Sequence, residues 1–307
     1  MCEKSFSEFI YIPFLTFTIT LIGILANSWV LAMSKKSSSM VGSFGTITRN
    51  QAVCNVLMCL IFIATVLPMQ LGFFKSLIPH SHYLGTAAMT VHEVSNSAHF
   101  LMSFNRFCAF YMPHHYEKLF SKSSTRYYTT FLWIFFPFFC ILLYEIPDCH
   151  ISYSSTLWTL EFQTNEVCKT LTWYFDFLFN SILIFQTLFL NLITAQKARK
   201  KSQELINSIG LELSKSHRKR EWNFIKQMSA QGLAMFMGQF SYYIGAPLIG
   251  KNHFVLLFFC YTLWAFMHAF EGLIMMASNK DLWSRTKTNS VVIFVQAQRH
   301  ITKIGYR

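Results

Sequence analysis

Charge is what this 307-residue chain has least of: Asp, Glu, Lys and Arg make up 13% of it, against roughly 25% in a soluble globular domain. Acid is the scarcer sign, with 14 Asp and Glu against 26 Lys and Arg and a net charge of +12. No long polar stretch is present that would fold as a second domain, so one domain is expected. Catalytic signatures are missing as well. There is no His-Glu-x-x-His, no Gly-x-Ser-x-Gly, no Asp pair across apolar runs and no glycine-rich phosphate loop. An enzyme is therefore not expected, nor any cofactor. No Cys-x-x-Cys or Cys/His metal spacing occurs, and His92, Glu93 and His99 are wrongly spaced for two ligands beside one Glu. No Lys falls in the last apolar run, which removes a retinal Schiff base there. An Asn-x-Ser/Thr sequon is absent too, so N-glycosylation cannot report sidedness.

Apolar length is what the chain has instead. Hydrophobic residues make up 53%, and Phe alone occurs 33 times. Crossing ~30 Å of hydrocarbon at about 1.5 Å per residue takes roughly 20 mostly apolar residues. Seven stretches meet this: 9–33, 47–74, 85–111, 127–146, 173–194, 224–249 and 254–278. The second and sixth are the weakest, since each carries Gly, Gln or Asn inside. The fold class expected is an all-α membrane protein, a seven-transmembrane helix bundle. It leaves an extracellular segment 1–8, a receptor-sized bundle 9–278, and a cytoplasmic tail 279–307 patterned as a short interfacial helix, with Leu282 and Trp283 facing lipid. The first run is too long for a signal h-region and reads as an uncleaved anchor.

Basic residues set the orientation. Lys35, Lys36 and Arg49 lie between spans one and two; Lys118, Lys122 and Arg126 between three and four. Between five and six come Lys197, Arg199, Lys200, Lys201, Lys215, Arg218, Lys219 and Arg220, and the tail adds six more. Only Lys4, Lys75, Lys169 and Lys251 fall on the other side. Cytoplasmic connectors hold the Lys and Arg excess, so the amino terminus is expected outside and the carboxyl terminus inside. The run Lys215–Arg220 flanks a span; it reads as a topology signal and a lipid-headgroup or partner surface, with no nucleic acid expected.

Most of the eight cysteines sit inside spans. Cys149 and Cys168 lie in the long outer connector and could close a loop of about 20 residues, worth roughly 3 kcal/mol. Two free thiols, or a pairing with Cys2, are the alternatives.

Polar residues inside spans ask for a reason, because a charge at bilayer centre costs roughly 2.5–3.5 kcal/mol. His92, Asn96, His99, Ser103 and Arg106 recur at three- and four-residue steps and share one helix face. Two readings compete. In one, such groups only hydrogen-bond between helices. In the other, the outer set lines a cavity for a small-molecule ligand: His92, Glu93, Asn96, Asp176, Asn180, Tyr242, Tyr243, Tyr261 and Trp264. His99, His268 and Glu271 form an inner set, a structural or switching contact between spans three and seven.

The run Asn105-Arg106-Phe107-Cys108-Ala109, followed by Pro113, Tyr116 and Phe120, resembles the inner end of span three in nematode chemoreceptors of serpentine receptor class x. The pattern continues with Gly23, Asn27, Ser43-Phe44-Gly45, Gln51, Pro68, His99, Tyr144-Glu145, Cys149, Cys168 and Asp176. It ends with Glu221, Phe224, Gln227, Gln231-Gly232, Trp264, His268 and Gly272, covering about residues 20–280. The resemblance implies a G-protein-coupled chemosensory receptor at the plasma membrane of a sensory neuron. Its partners would be a small-molecule ligand, a heterotrimeric G protein and membrane lipids. Asn105, Arg106, Glu221 and Gln227 would carry the switch and the coupling. Arg106 takes the place of the arginine in the Asp/Glu-Arg-Tyr box of rhodopsin-like receptors, or it snorkels to headgroups. No acid precedes it, and the Asn-Pro-x-x-Tyr and Cys-Trp-x-Pro motifs are missing, so the acid–arginine lock and the proline-hinged motion do not carry over. A channel or transporter subunit, or a receptor-like protein that does not signal, are the rival readings.

Overall fold

The computed structural model describes residues 6–36, 40, 42–209, 211–249 and 253–279. The proposed tail helix, Cys2 and most of the amino-terminal segment lie outside these residues. Seven rods form a bundle. Span one is Phe6–Ser34, span two Ser43–Gln70, span three Ser81–Tyr111 and span four Lys122–Glu145. Span five starts with the turns Glu166–Thr172 and Trp173–Leu178 and runs on as Phe179–Ile209. Span six is Leu211–Phe240 with Ser241–Gly245 and Ala246–Leu248, and span seven is Phe254–Ser278. Span three is central and touches two, four and five, while span one is wedged between two and seven.

Five rods are long and apolar enough to cross a membrane on their own: spans one, two, four, five and seven. Span two is among them, against the expectation that it is weak. Spans three and six are the polar ones. Their polarity is turned inward: His92, Glu93, Ser95, Asn96, His99 and Ser103 of span three and Gln227, Gln231 and Gln239 of span six are all buried. Meanwhile Phe14, Ile134, Phe138 and Phe189 are each more than 60% exposed. Buried amides beneath an exposed phenylalanine surface reverse the arrangement of a water-soluble protein and suit lipid. Spans five and six are longer than the apolar runs, because a charged helix continues past the bilayer without any hydropathy signal.

One two-stranded antiparallel hairpin occurs among the described residues, β1 (Ile151–Ser154) with β2 (Thr159–Phe162), where the sequence suggested only a loop. It caps one end of the bundle, here called the hairpin end. The Tyr153 N–H donates to Ser81 Oγ at 2.9 Å, the Phe162 N–H to Tyr242 Oη at 3.0 Å, and Gln70 Nε2 to the Trp158 carbonyl at 2.8 Å. Trp158 closes the turn with φ 58°, a left-handed conformation rare for a bulky residue, and its ring stands edge-on to Phe254 at 5.6 Å. Cys149 and Cys168 are disulfide-bonded, which settles the pairing and ties the hairpin to span five.

Four rods contain a widened π-turn near this end: Phe62–Val66, Ile141–Glu145, Trp173–Leu178 and Ser241–Gly245. Pro68 and Pro247 follow two of them and cannot donate to the carbonyl one turn back. A π-turn shifts the side chains after it around the helix and often marks a functional region. Here the turns set the positions of Tyr144, Glu145, Asp176, Tyr242 and Tyr243.

Close helix crossings rest on glycine. A Cβ on Gly272 would stand 2.8 Å from Asn27 Cγ and 2.9 Å from the Asn27 backbone nitrogen. Gly272→Ala is expected to force spans one and seven apart and to cost about 1–3 kcal/mol. A thermal-unfolding midpoint in detergent equal to that of the parent would refute it.

Candidate functional site: a polar core beneath the hairpin

Span three supplies the spine of the site. His92, Asn96 and His99 face inward at helical spacing, as read from the sequence, and span five brings Asp176 and Asn180 one turn apart against them. The hydrogen bonds form one connected set. Asn96 Nδ2 donates to Asn180 Oδ1 at 2.9 Å and to His92 Nε2 at 3.1 Å. Asn180 Nδ2 spends its two hydrogens on Glu93 Oε1 at 2.7 Å and Asp176 Oδ1 at 2.9 Å. Tyr243 Oη donates to Asp176 Oδ2 at 2.6 Å.

The other arm crosses the bundle. Since His92 Nε2 accepts, its proton sits on Nδ1, which points at His268 Nε2 3.3 Å away. His268 Nδ1 then donates to Asn55 Oδ1 at 2.9 Å. The Asn55 amide donates to Asn27 Oδ1 at 3.0 Å and to Glu271 Oε2 at 2.9 Å. Glu271 also accepts from Gln51 Nε2 at 2.8 Å and His99 Nε2 at 2.8 Å. The second Gln51 hydrogen goes to Ser95 Oγ at 2.5 Å. Donor counting thus fixes nearly every amide and ring in one sense. Both arms start at Asn96 and end on acids, Glu93 and Asp176 in one direction and Glu271 in the other.

A small cavity lies between this network and the hairpin. Met89, His92, Ile151, Phe162, Asp176, Gln239, Tyr242, Tyr243 and Trp264 line it. Its interior has room for about one water molecule. Of the outer set expected from the sequence, His92, Asp176, Tyr242, Tyr243 and Trp264 reach the cavity. Glu93, Asn96 and Asn180 belong to the polar network instead, and Tyr261 stacks edge-on against Tyr242 at 4.9 Å without lining the space. Gln239 was missed by the sequence reading: it is buried, it lines the cavity, and neither of its amide atoms has a partner. Asn27, Gln51 and Asn55 were not read as site residues either, although single polar residues in apolar runs are the signal that finds them.

The chain belongs to the serpentine Srx family of seven-transmembrane chemoreceptors. A family profile described as "Serpentine type 7TM GPCR chemoreceptor Srx" matches residues 17–279. Two Caenorhabditis elegans proteins are similar over most of their length. Serpentine receptor class X 45 is 23% identical over 88% of this chain and 79% of its own. Serpentine receptor class X-43 is 24% identical over 80% of this chain and 76% of its own. The Srx family is one of receptors, not of enzymes.

The opposite end of this Srx bundle carries the residues singled out for coupling. Asn105 is buried and donates to Ser43 Oγ at 3.0 Å and Tyr116 Oη at 3.3 Å, joining spans two and three to the short helix Pro113–Leu119. Arg106 is half-buried, with its guanidinium 4.4 Å from the centre of the Phe44 ring. Gln227 accepts from Asn279 Nδ2 at 2.9 Å and so links span six to the end of span seven. The side chain of Glu221 lies outside the described residues. Lys118, Lys122, Arg126, Lys197, Arg199 and Lys200 gather at this end as well.

Proposed function

We propose that this chain is a plasma-membrane chemosensory receptor that binds a small molecule beneath the hairpin and signals to a heterotrimeric G protein from the opposite end. The hairpin end faces outward in this reading, and the basic end faces the cytoplasm, an orientation that the Lys and Arg distribution supports. The observation that carries it is the one-directional hydrogen-bond network, which starts beside the cavity and ends on Glu271 in span seven. A molecule that takes a partner from His92 must reverse or break the bonds that run through His268 and Asn55 to Glu271, whereas one that engages Asp176 competes with Tyr243 and Asn180. It shifts the bundle only by its differential affinity for the two arrangements.

The lining favours a ligand with an apolar or aromatic body and a polar tip that both donates and accepts. Gln239 offers both of its amide atoms to such a tip, and Trp264 with Tyr242 and Tyr243 forms the wall. At the basic end, the half-buried Arg106 is the group a G protein reads, its guanidinium fork matching main-chain carbonyls or a carboxylate, while the buried Gln227 couples span six to the end of span seven behind it.

The experiment is a screen of small volatile and water-soluble molecules on the chain expressed in cells with a promiscuous G protein. A hit is expected to lose at least tenfold in potency in His92→Ala and in Gln239→Ala. Arg106→Ala is expected to keep surface expression and to lose output. Ligand-gated current in cells without G-protein signalling would instead favour a channel.

A further inference from the structure

Away from the polar core, three side chains from distant parts of the sequence meet at the hairpin end: His82 at the start of span three, Glu145 at the end of span four, and His150 just before β1. His82 Nδ1 is 3.0 Å and His150 Nδ1 is 3.1 Å from the same oxygen, Glu145 Oε2. The three ligand atoms all lie within 4.8 Å of one another, and the two rings are 4.5 Å apart. A tetrahedral zinc ion with bonds of about 2.0–2.1 Å holds its ligand atoms about 3.3 Å apart, close to the two nitrogen–oxygen separations of 3.0 and 3.1 Å.

The surroundings are those of a metal site as well. Asp148 Oδ1 is 3.2 Å from His150 Nε2, on the side of the ring away from Glu145, where a carboxylate can orient a metal-binding imidazole. Thr86 Oγ1 donates to the second carboxylate oxygen of Glu145. The three side chains are each a little under one-fifth exposed, so an ion can enter from one side and still be largely shielded. Asp148 holds a left-handed conformation, φ 54°, and the next residue is the disulfide-bonded Cys149. His150 is thereby held on its backbone independently of any ion.

We propose that His82, Glu145 and His150 form a binding site for a divalent transition-metal ion of the zinc class. Three protein ligands leave the fourth tetrahedral position for water or another donor. The ion would bridge span three, span four and the strand that roofs the cavity. Zinc would then hold the hairpin closed and act on the receptor from a position that no ligand beneath the hairpin occupies.

The test uses the full chain in lipid nanodiscs and Zn²⁺ in competition with a chromogenic chelator. One Zn²⁺ per chain is expected, with a visible Co²⁺ spectrum of tetrahedral intensity. His82→Ala and His150→Ala are each expected to weaken binding more than tenfold, and Asp148→Asn by about tenfold, in line with 10–100-fold for a residue orienting a ligand. The double variant His114→Ala/His115→Ala, at the other end of the bundle, is expected to bind as the parent does. His82→Asn, which retains a donor toward Glu145, guards against misfolding, and the intact disulfide is checked by thiol labelling. The proposal falls if the parent takes up no Zn²⁺ below millimolar concentration. It falls equally if correctly folded His82→Asn and His150→Ala bind Zn²⁺ as tightly as the parent.

Discussion

Glu271→Ala is expected to lower the stability of the bundle by about 2–5 kcal/mol. The carboxylate accepts from three buried donors on two other spans: Gln51, Asn55 and His99. Interhelical hydrogen bonds in membranes contribute about 0.6–1.7 kcal/mol each, and the three are lost together. Alanine also leaves a cavity where the buried side chain stood. Glu271→Gln is the sharper probe. It keeps the volume and one acceptor oxygen but adds two hydrogens where only acceptors are wanted. Gln51 and Asn55 already share Oε2 while His99 holds Oε1, so the new amide nitrogen faces either His99 or both amides, and the resting balance of states shifts. Basal and stimulated signalling are expected to change while most of the protein still reaches the surface. Thermal melting in detergent measures the first effect and a second-messenger assay the second. Unaltered basal and stimulated output in Glu271→Gln would remove the network from the switching mechanism.

Cys149→Ser, or Cys168→Ser, is expected to release the hairpin. The bridge closes a loop with a sequence separation of 19 residues, and removing a native disulfide of this size typically costs about 2–5 kcal/mol. The loss is local, because the bridge joins the hairpin to span five and the seven rods pack without it. Hydrogen exchange at Tyr153 and Phe162 is expected to quicken markedly, while amides of span three in the bundle centre stay protected. If the loop exchanges no faster in the variant, the bonds from Ser81, Tyr242 and Gln70 hold the hairpin by themselves. Zn²⁺ affinity should also fall in the variant, because His150 loses its fixed backbone.

Much of the fold was legible because span length and apolarity are one-dimensional properties. Span seven matches the expectation residue for residue, at Phe254–Ser278. The rest was hidden for identifiable reasons. Spans five and six run beyond the bilayer on charged residues that no hydropathy reading counts. The strands of the hairpin are four residues each, too short for an alternating pattern to stand out. In the site, the face carrying His92, Asn96 and His99 was visible because helical spacing alone defines it. Its partners Asn27, Gln51 and Asn55 were not, since pairing across rods depends on which helix lies beside which. His82, Glu145 and His150 form no motif at all; the π-turn Ile141–Glu145 and the disulfide bring them together.

The cavity beneath the hairpin holds about one water molecule, whereas pockets for drug-sized ligands run to roughly 300 Å³ or more. On the proposed reading, a stimulus of several heavy atoms does not fit the arrangement described here and captures a rarer, swollen one. Its measured dissociation constant will be weaker than the intrinsic one by the fraction of molecules already swollen. Substitutions that trim the aromatic wall, such as Trp264→Ala, would raise that fraction. On the same reading they would sensitise the receptor to many molecules at once and blunt its discrimination, the crowded side chains setting a detection threshold.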